Sequence, residues 1–404
     1  MIDILIGTLI GVVLGTVSGI IPGIHANTLA GALISLQVLL LAILGPIALG
    51  AVLFAALITH TFVDSVPSTF LGVPDADTAL SVLPAHALCL EGNGEEAVRI
   101  AALGSALAIV LAVPLSVLCY LFLPAIQPFL DWAIGLLIVA VVGYMIVSSE
   151  APGWALAIFT CSGILGIFTM YYGYLGWHGI GGESALLMPL FTGLFGISVL
   201  ATALQGRIPA QVYQGISLEG RTVAKGTVLG TAAGIAVGWL PGLSNATANG
   251  VLASVIGYTK DRRMYILATN AANTTNAFIG LAALFALSRM RSGVMVALSS
   301  IPLPSPTGLF VAGVLAACAA YIITVVLSTS AHRLSGINVK WVNRAVIVFV
   351  VAICLILTGP FGGLILLLAT LLGLVPSLVN VPRMYCMGAV MVPVILYSFG
   401  ITWL

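Results

Sequence analysis

Apolar runs recur from one end of the chain to the other, separated by Pro, Gly or charge clusters. About 20 apolar residues match the thickness of a bilayer core, so the runs predict membrane-spanning helices, roughly ten to twelve of them. The first run, Ile4 to Ile21, has neither a basic flank nor a small-residue cleavage site, so it is read as the first helix and not as a signal peptide. The predicted class is an all-α integral membrane protein of the cell membrane.

Within those runs the glycines carry a second pattern. Shifting the chain by 219 residues lays residues 7–35 on 226–254 with eleven identities in twenty-nine, among them Gly7/Gly226, Gly11/Gly230, Gly15/Gly234, Gly19/Gly238, Pro22/Pro241, Gly23/Gly242, Thr28/Thr247 and Ser35/Ser254. The match predicts two related halves, residues 1–205 and 206–404. Glycine at every fourth position lines one side of a helix and lets another backbone come close. Proline then removes a backbone donor and glycine admits unusual angles, so each glycine-striped helix should break at its Pro-Gly while apolar sequence continues on both sides. Discontinuous helices or re-entrant hairpins are therefore expected at Pro22-Gly23 and Pro241-Gly242. The competing reading of one Pro-Gly is an ordinary turn between helices; its recurrence at matching places favours broken helices that meet at a site.

Short polar residues follow each break: His25, Asn27 and Thr28 in the first half, Ser244, Asn245 and Thr247 in the second. The resumed half-helix has unpaired N–H groups and a positive dipole end, which suit an anion without a buried arginine. Pro22, Gly23, His25, Asn27, Thr28, Pro241, Gly242, Ser244, Asn245 and Thr247 are accordingly the expected substrate site. A second polar set interrupts apolar sequence further on, with Thr59, His60, Thr61, Asp64, Ser65, Ser68 and Thr69 in one half and Thr269, Asn270, Asn273, Thr274, Thr275 and Asn276 in the other. These groups suit a coupling Na⁺ or H⁺ or the oxygens of an anion; hydrogen bonding between helices is the plainer alternative. An intramembrane carboxylate is costly unless paired or protonated, so Asp64 is read either as a coupling-ion ligand or proton carrier, or as a cap near the interface. His25 and His60 are read either as proton carriers or as packed, hydrogen-bonded residues.

Composition fits this picture: 61% of the 404 residues are hydrophobic and 6% charged, against about 25% charged in soluble domains. Ten of the 12 acidic residues precede Ala203, whereas all the basic ones except Arg99 follow it. The positive-inside rule then places the loops holding Arg207, Arg221 and Lys225, and Arg333, Lys340 and Arg344, on the cytoplasmic side, with the N-terminus outside. An odd number of spans per half would invert the second repeat, in agreement with that bias; a parallel repeat stays open. Net charge near zero gives no reason to expect nucleic acid. The six cysteines show no metal or redox spacing and are expected to be small core residues. The run Glu91 to Glu96 is expected to be a solvated loop, and Lys260, Arg262 and Arg263 to serve topology or to draw anions to one mouth. No nucleotide, zinc-hydrolase or nucleophile motif is found, so neither an enzyme nor an ATP-driven pump is expected, and no cofactor beyond a coupling ion.

The chain resembles the large membrane subunit of the tripartite tricarboxylate transporters, the TctA family, particularly its shorter archaeal members. The resemblance lies in Gly15-x3-Gly19-x2-Pro22-Gly23, in Ser65-x2-Ser68-Thr69-Phe70-Leu71-Gly72-Val73-Pro74, in Leu83 to Ser105, and in Pro241-Gly242 with Ala268 to Asn276. It implies secondary active uptake of a di- or tricarboxylate, beside a small membrane subunit and an extracytoplasmic binding protein that this sequence does not itself reveal. His60 and Asp64 stand where the family pattern is glycine-rich. Ile21 to Thr28 also resembles the Pro-Gly hairpin of polyprenyl-phosphate translocases, which implies a lipid-carrier flippase as the alternative. A homodimer is compatible with either.

Overall fold

The computed structural model describes residues 1–21, 26–72, 79–177, 186–202, 209–240, 245–257, 261–290, 292–330, 333 and 339–401, and contains no strand among them. Helix α1 (Ile2–Ile20) is followed by α2 (Ala26–Ser35), α3 (Gln37–Val63), α4 (Ser65–Leu71), α5 (Ala79–Leu90), α6 (Gly94–Val147) and α7 (Pro152–Tyr171). Next come α8 (Leu187–Phe191), a π-helical stretch at Thr192–Ile197, and α9 (Ser198–Thr202). The second half contributes α10 (Gly220–Trp239), α11 (Asn245–Ile256), α12 (Arg262–Leu287), α13 (Gly293–Ser299), α14 (Pro306–Thr329), α15 (Val339–Leu378) and α16 (Gly388–Ser398).

Among the described residues, six helices are long and apolar enough to cross a membrane, and Gly135–Val147, Leu187–Thr202 and Tyr385–Ser398 are shorter apolar helices. The chain is bent where proline withholds a donor and glycine supplies the angles. In α3 the bend is Gly45 (φ 71°) before Pro46, and in α15 it is Gly359 (φ 70°) before Pro360. At 1.5 Å per residue, the 54 residues of α6 would extend about 80 Å if straight, far beyond one bilayer core; its apolar sequence divides into Gly94–Phe129 and Gly135–Val147. Leu121, Phe122, Ile322 and Val326 all show exposed side chains, the surface expected where lipid is the solvent.

The glycine stripes do what their spacing predicts. Gly11, Gly15 and Gly19 of α1 face Ala55, Thr59 and Val63 of α3, in each case 44 residues further on. Gly230, Gly234 and Gly238 of α10 face Ala271, Thr275 and Ile279 of α12, in each case 41 residues on. A Cβ at Gly15 would fall 2.5 Å from the Ala56 carbonyl oxygen, and one at Gly234 would fall 2.5 Å from that of Ala272. One helix-on-helix contact is thus made twice in the same register.

The two largest apolar cores among the described residues each draw on both halves of the chain. One gathers Phe54 and Phe62 of α3, Ile109 of α6, Phe278 and Leu281 of α12, and residues of α13 and α14. The other joins the end of α6 and α7–α9 to α15 and α16, and takes in Leu240 just beyond α10.

The extended segment before α10 is strapped to the α5–α6 turn. Val212 N–H donates to Gly92 O at 3.0 Å, Gln211 Oε1 accepts from Gly94 N–H at 2.8 Å, and Ser217 donates to Glu96 through both N–H (2.8 Å) and Oγ (2.6 Å). Arg263 adds a two-pronged ion pair to the same carboxylate, Nε to Oε1 at 2.9 Å and Nη2 to Oε2 at 2.7 Å. This corrects the reading of Glu91 to Glu96 as a solvated loop: Glu95 and Glu96 begin α6, and Glu96 is buried. Of the basic residues expected to serve topology or to draw anions, Arg262 pairs with Glu91 and Arg263 with Glu96, and Lys260 lies outside the described residues. A carboxylate buried without such partners would be strongly disfavoured, which is why the charges find each other across the halves. Cys89, Cys354 and Cys386 are buried as expected, but Cys161 and Cys318 are exposed on α7 and α14, a second correction.

Candidate functional site

Helix α1 stops at Ile20 with Ile21 extended, and α10 stops at Trp239 with Leu240 extended. Helical structure resumes at Ala26 and at Asn245. Of the expected substrate residues, Pro22, Gly23, His25, Pro241, Gly242 and Ser244 lie outside the described residues, and the side chains of Asn27, Thr28 and Thr247 likewise. Asn245, the first residue of α11, is buried, and its Nδ2 donates to Asn273 Oδ1 of α12 at 2.8 Å.

The second polar set is brought together. Thr61 of α3 and Thr274 of α12 place their hydroxyl oxygens 3.2 Å apart, joining residues 213 positions distant in sequence. Around this contact Thr59, His60, Thr61, Asp64, Ser65, Ser68, Thr69, Asn270, Asn273, Thr274 and Thr275 are all buried. The local chain explains their orientation. Asp64 stands between α3 and α4 with helical angles, and its N–H donates to His60 O at 3.0 Å. The helical hydroxyls turn their protons onto carbonyls of the preceding turn: Ser65 Oγ to Phe62 O at 2.6 Å and Ser68 Oγ to Asp64 O at 2.8 Å. Asn270 does likewise, its Nδ2 donating to Ile266 O at 2.8 Å.

Asp64, Ser65, Ser68 and Thr69 line one side of a cavity of about 10 Å³, closed by Ala85 of α5, Ala101 of α6, and Ile266 and Asn270 of α12. That is the room one water-sized particle needs. The surrounding polar groups tie this cavity to both chain breaks. On one side His60, one turn before Asp64, has its Nδ1 3.1 Å from Ser18 Oγ, in the last turn of α1 before Pro22. On the other, Asn273 is three residues beyond Asn270 and holds Asn245, which follows Pro241-Gly242.

Sequence reasoning missed three supporting residues. Ser105 Oγ donates to Asn270 O at 3.3 Å, His86 Nδ1 donates to Thr69 O at 2.8 Å, and Ser18 reaches His60. Their signal was available, since each is a polar residue inside or beside an apolar run, but a single polar residue does not name its partner. Among the described residues no group of three or more His, Cys, Asp or Glu is placed to hold a metal ion.

A model of the tripartite tricarboxylate transporter TctA family matches residues 5–388 of this sequence. The chain is also 32% identical, over 251 residues, to an uncharacterized protein of Methanocaldococcus jannaschii. That alignment spans 60% of this chain and 60% of the length of the relative. No solved structure matches.

Proposed function

Because the chain belongs to the TctA family of tripartite tricarboxylate transporters and is a multi-pass membrane protein, we propose that it is a secondary active carrier of a small organic anion of the di- or tricarboxylate class. Movement of the anion is coupled to a cation, Na⁺ or H⁺. The reading rests above all on the convergence of Thr61 and Thr274, with Asp64 and Asn270 beside them, inside a bundle whose outer face is apolar. Buried polar groups drawn from both halves of a membrane protein mark substrate and ion paths.

In this proposal the halves 1–205 and 206–404 are inverted repeats whose Pro-Gly breaks face each other. The anion is held at Pro22, Gly23, His25, Asn27 and Thr28 and at Pro241, Gly242, Ser244, Asn245 and Thr247, chiefly by backbone N–H groups at half-helix starts. His60, Asp64, Ser65, Ser68, Thr69, Asn270, Asn273 and Thr274 serve coupling. A small membrane subunit and an extracytoplasmic binding protein would be partners, and a homodimer the assembly.

The test is transport of labelled citrate, succinate and a short-chain polyprenyl phosphate in proteoliposomes, for the native chain and for Gly23→Leu and Gly242→Leu. Carboxylate uptake by the native chain, lost in both variants while membrane insertion is retained, is the expected result. Undiminished uptake in the variants would remove the proposed anion site, and transport of polyprenyl phosphate alone would overturn the substrate class.

A further inference from the structure

We propose that the extended strap of residues 209–218 is a latch on α5: bound across the α5–α6 turn it holds α5 over the polar cavity, and its release lets α5 pivot at Gly92 and opens the cavity to the cytoplasmic face. This deepens the carrier reading and rests on it for the need to open, but the movement is measured without transport.

Three layers separate the cavity from that face. Asn270 of α12 lines the cavity; Ile266, one turn earlier, lines it and also enters an apolar cluster; Arg263, one turn earlier still, holds Glu96. From Arg263 to Asn270 the helix rises about 10 Å. Ala101 of α6 and Ala85 of α5 likewise belong both to the cavity wall and to the cluster, against which Ile216 and Leu218 of the strap pack. Arg207, Arg221 and Lys225 flank the strap in sequence, and by the positive-inside rule they put this end in the cytoplasm.

The walls differ in how firmly they are held. Helices α6 and α12 meet backbone to backbone, since a Cβ at Gly104 would strike Leu267 O. Helix α5 is 12 residues long and meets both through the side chains of Ala85 and Leu88. It joins α6 through Gly92, whose φ of 91° suits glycine, at an element end of the kind that serves as a hinge. The strap rests on that hinge. Val212 N–H donates to Gly92 O, and Gln211 donates from Nε2 to Cys89 O at 3.0 Å, near the end of α5, while its Oε1 holds the first N–H of α6.

Release strands no charge. Ser217 shares Glu96 with Arg263, and Glu91 is paired with Arg262, so both carboxylates keep an arginine when the strap departs. The losses are the strap's hydrogen bonds, the bond from His86 to Thr69 O and the packing of half-buried Ile216 and Leu218. Val212 and Tyr213 are exposed already, and water replaces hydrogen bonds opened at such a surface.

The test is the rate at which a charged, impermeant maleimide modifies Ala101→Cys, on the cavity wall supplied by α6, read by peptide mass spectrometry in sealed vesicles of either orientation. Ala85→Cys, on α5, serves if that variant fails to fold. The expected result is slow modification from the cytoplasmic face, made about tenfold faster by Gln211→Ala with Ser217→Ala, the factor set by 1.4 kcal/mol, with no acceleration from the other face. Cys354, buried in a different cluster, reports on folding and should stay unmodified throughout. Bridging Asn93→Cys to Gln211→Cys with a short reducible cross-linker fixes the strap to the turn, and should stop modification until the bridge is reduced. A rate unchanged by the paired substitution or by the bridge, equal acceleration from both faces, or a rise matched at Cys354 would each overturn the latch. Carboxylate uptake with no change in modification would overturn it while leaving the carrier reading standing; the expected pattern in a chain that moves no carboxylate would support the latch and count against the substrate class.

Discussion

The buried charges show what a single residue can and cannot decide. Glu96 is 4% exposed and is held by Arg263, which approaches from the other half of the chain. Removing one partner leaves the other uncompensated, whereas removing both removes the requirement. Arg263→Gln should therefore destabilise by about 3 kcal/mol, the lower end for a buried pair because the Arg263 side chain keeps 30% exposure. Adding Glu96→Gln to it should recover part of the loss. Thermal midpoints of the two single variants and the double variant give the coupling directly, and additive losses would show that the pair carries no net interaction. The same logic made Asp64 conspicuous in the sequence, since a carboxylate within apolar sequence demands an explanation. It did not say what surrounds the carboxylate, because Ala85, Ala101, Ile266 and Asn270 reach it from three other helices.

At the scale of elements, glycine spacing was fully legible. A four-residue repeat of glycine is a statement about one face of a helix, and the structure uses that face in both halves for the approach of a second backbone. The partners were not legible, since nothing in α1 names α3 nor anything in α10 names α12. The close approach makes a sharp prediction. Gly234→Ala puts a methyl group 2.5 Å from Ala272 O and 2.6 Å from Thr275 Cβ, so the helices must separate, at about 1–3 kcal/mol. Gly143→Ala in α6, where a Cβ meets nothing within 4 Å, should be neutral or stabilise by up to about 1 kcal/mol through helix propensity. Denaturation in mild detergent ranks the two, and an equal response would remove the ladder as a stabilising contact. Helix ends were legible where Pro-Gly breaks the pattern, with α1 and α10 stopping just before it. The start of α6 was not, because a run of acidic residues reads as loop until Ser217 and Arg263 are seen to neutralise it.

For the whole molecule, hydropathy predicted lipid as the solvent, and the exposed apolar side chains of α6 and α14 agree. The cysteines give a test of which surface is which. Cys161 and Cys318 are exposed on spanning helices, whereas Cys89, Cys354 and Cys386 are buried. In sealed vesicles a charged maleimide should therefore leave all five unmodified by mass spectrometry, and should label them after denaturation. Modification of Cys161 or Cys318 by the charged reagent in intact vesicles would place those faces in water and overturn the lipid-facing assignment.

By itself the sequence determined the helical membrane class, the match of residues 7–35 to 226–254, the family, and where polar residues interrupt the apolar runs. Those are properties of composition, period and local spacing, which each segment carries wherever it is placed. Only the tertiary structure decided that Thr61 meets Thr274, that Asn270 closes a cavity against Asp64, and that the two largest cores are shared between the halves. Contacts between residues hundreds of positions apart depend on which helix faces are buried together, and an apolar face accepts many apolar partners. The choice among them is made by packing, in which a glycine stripe, a kink at Gly45 or Gly359 and a buried charge each exclude arrangements that composition alone would allow.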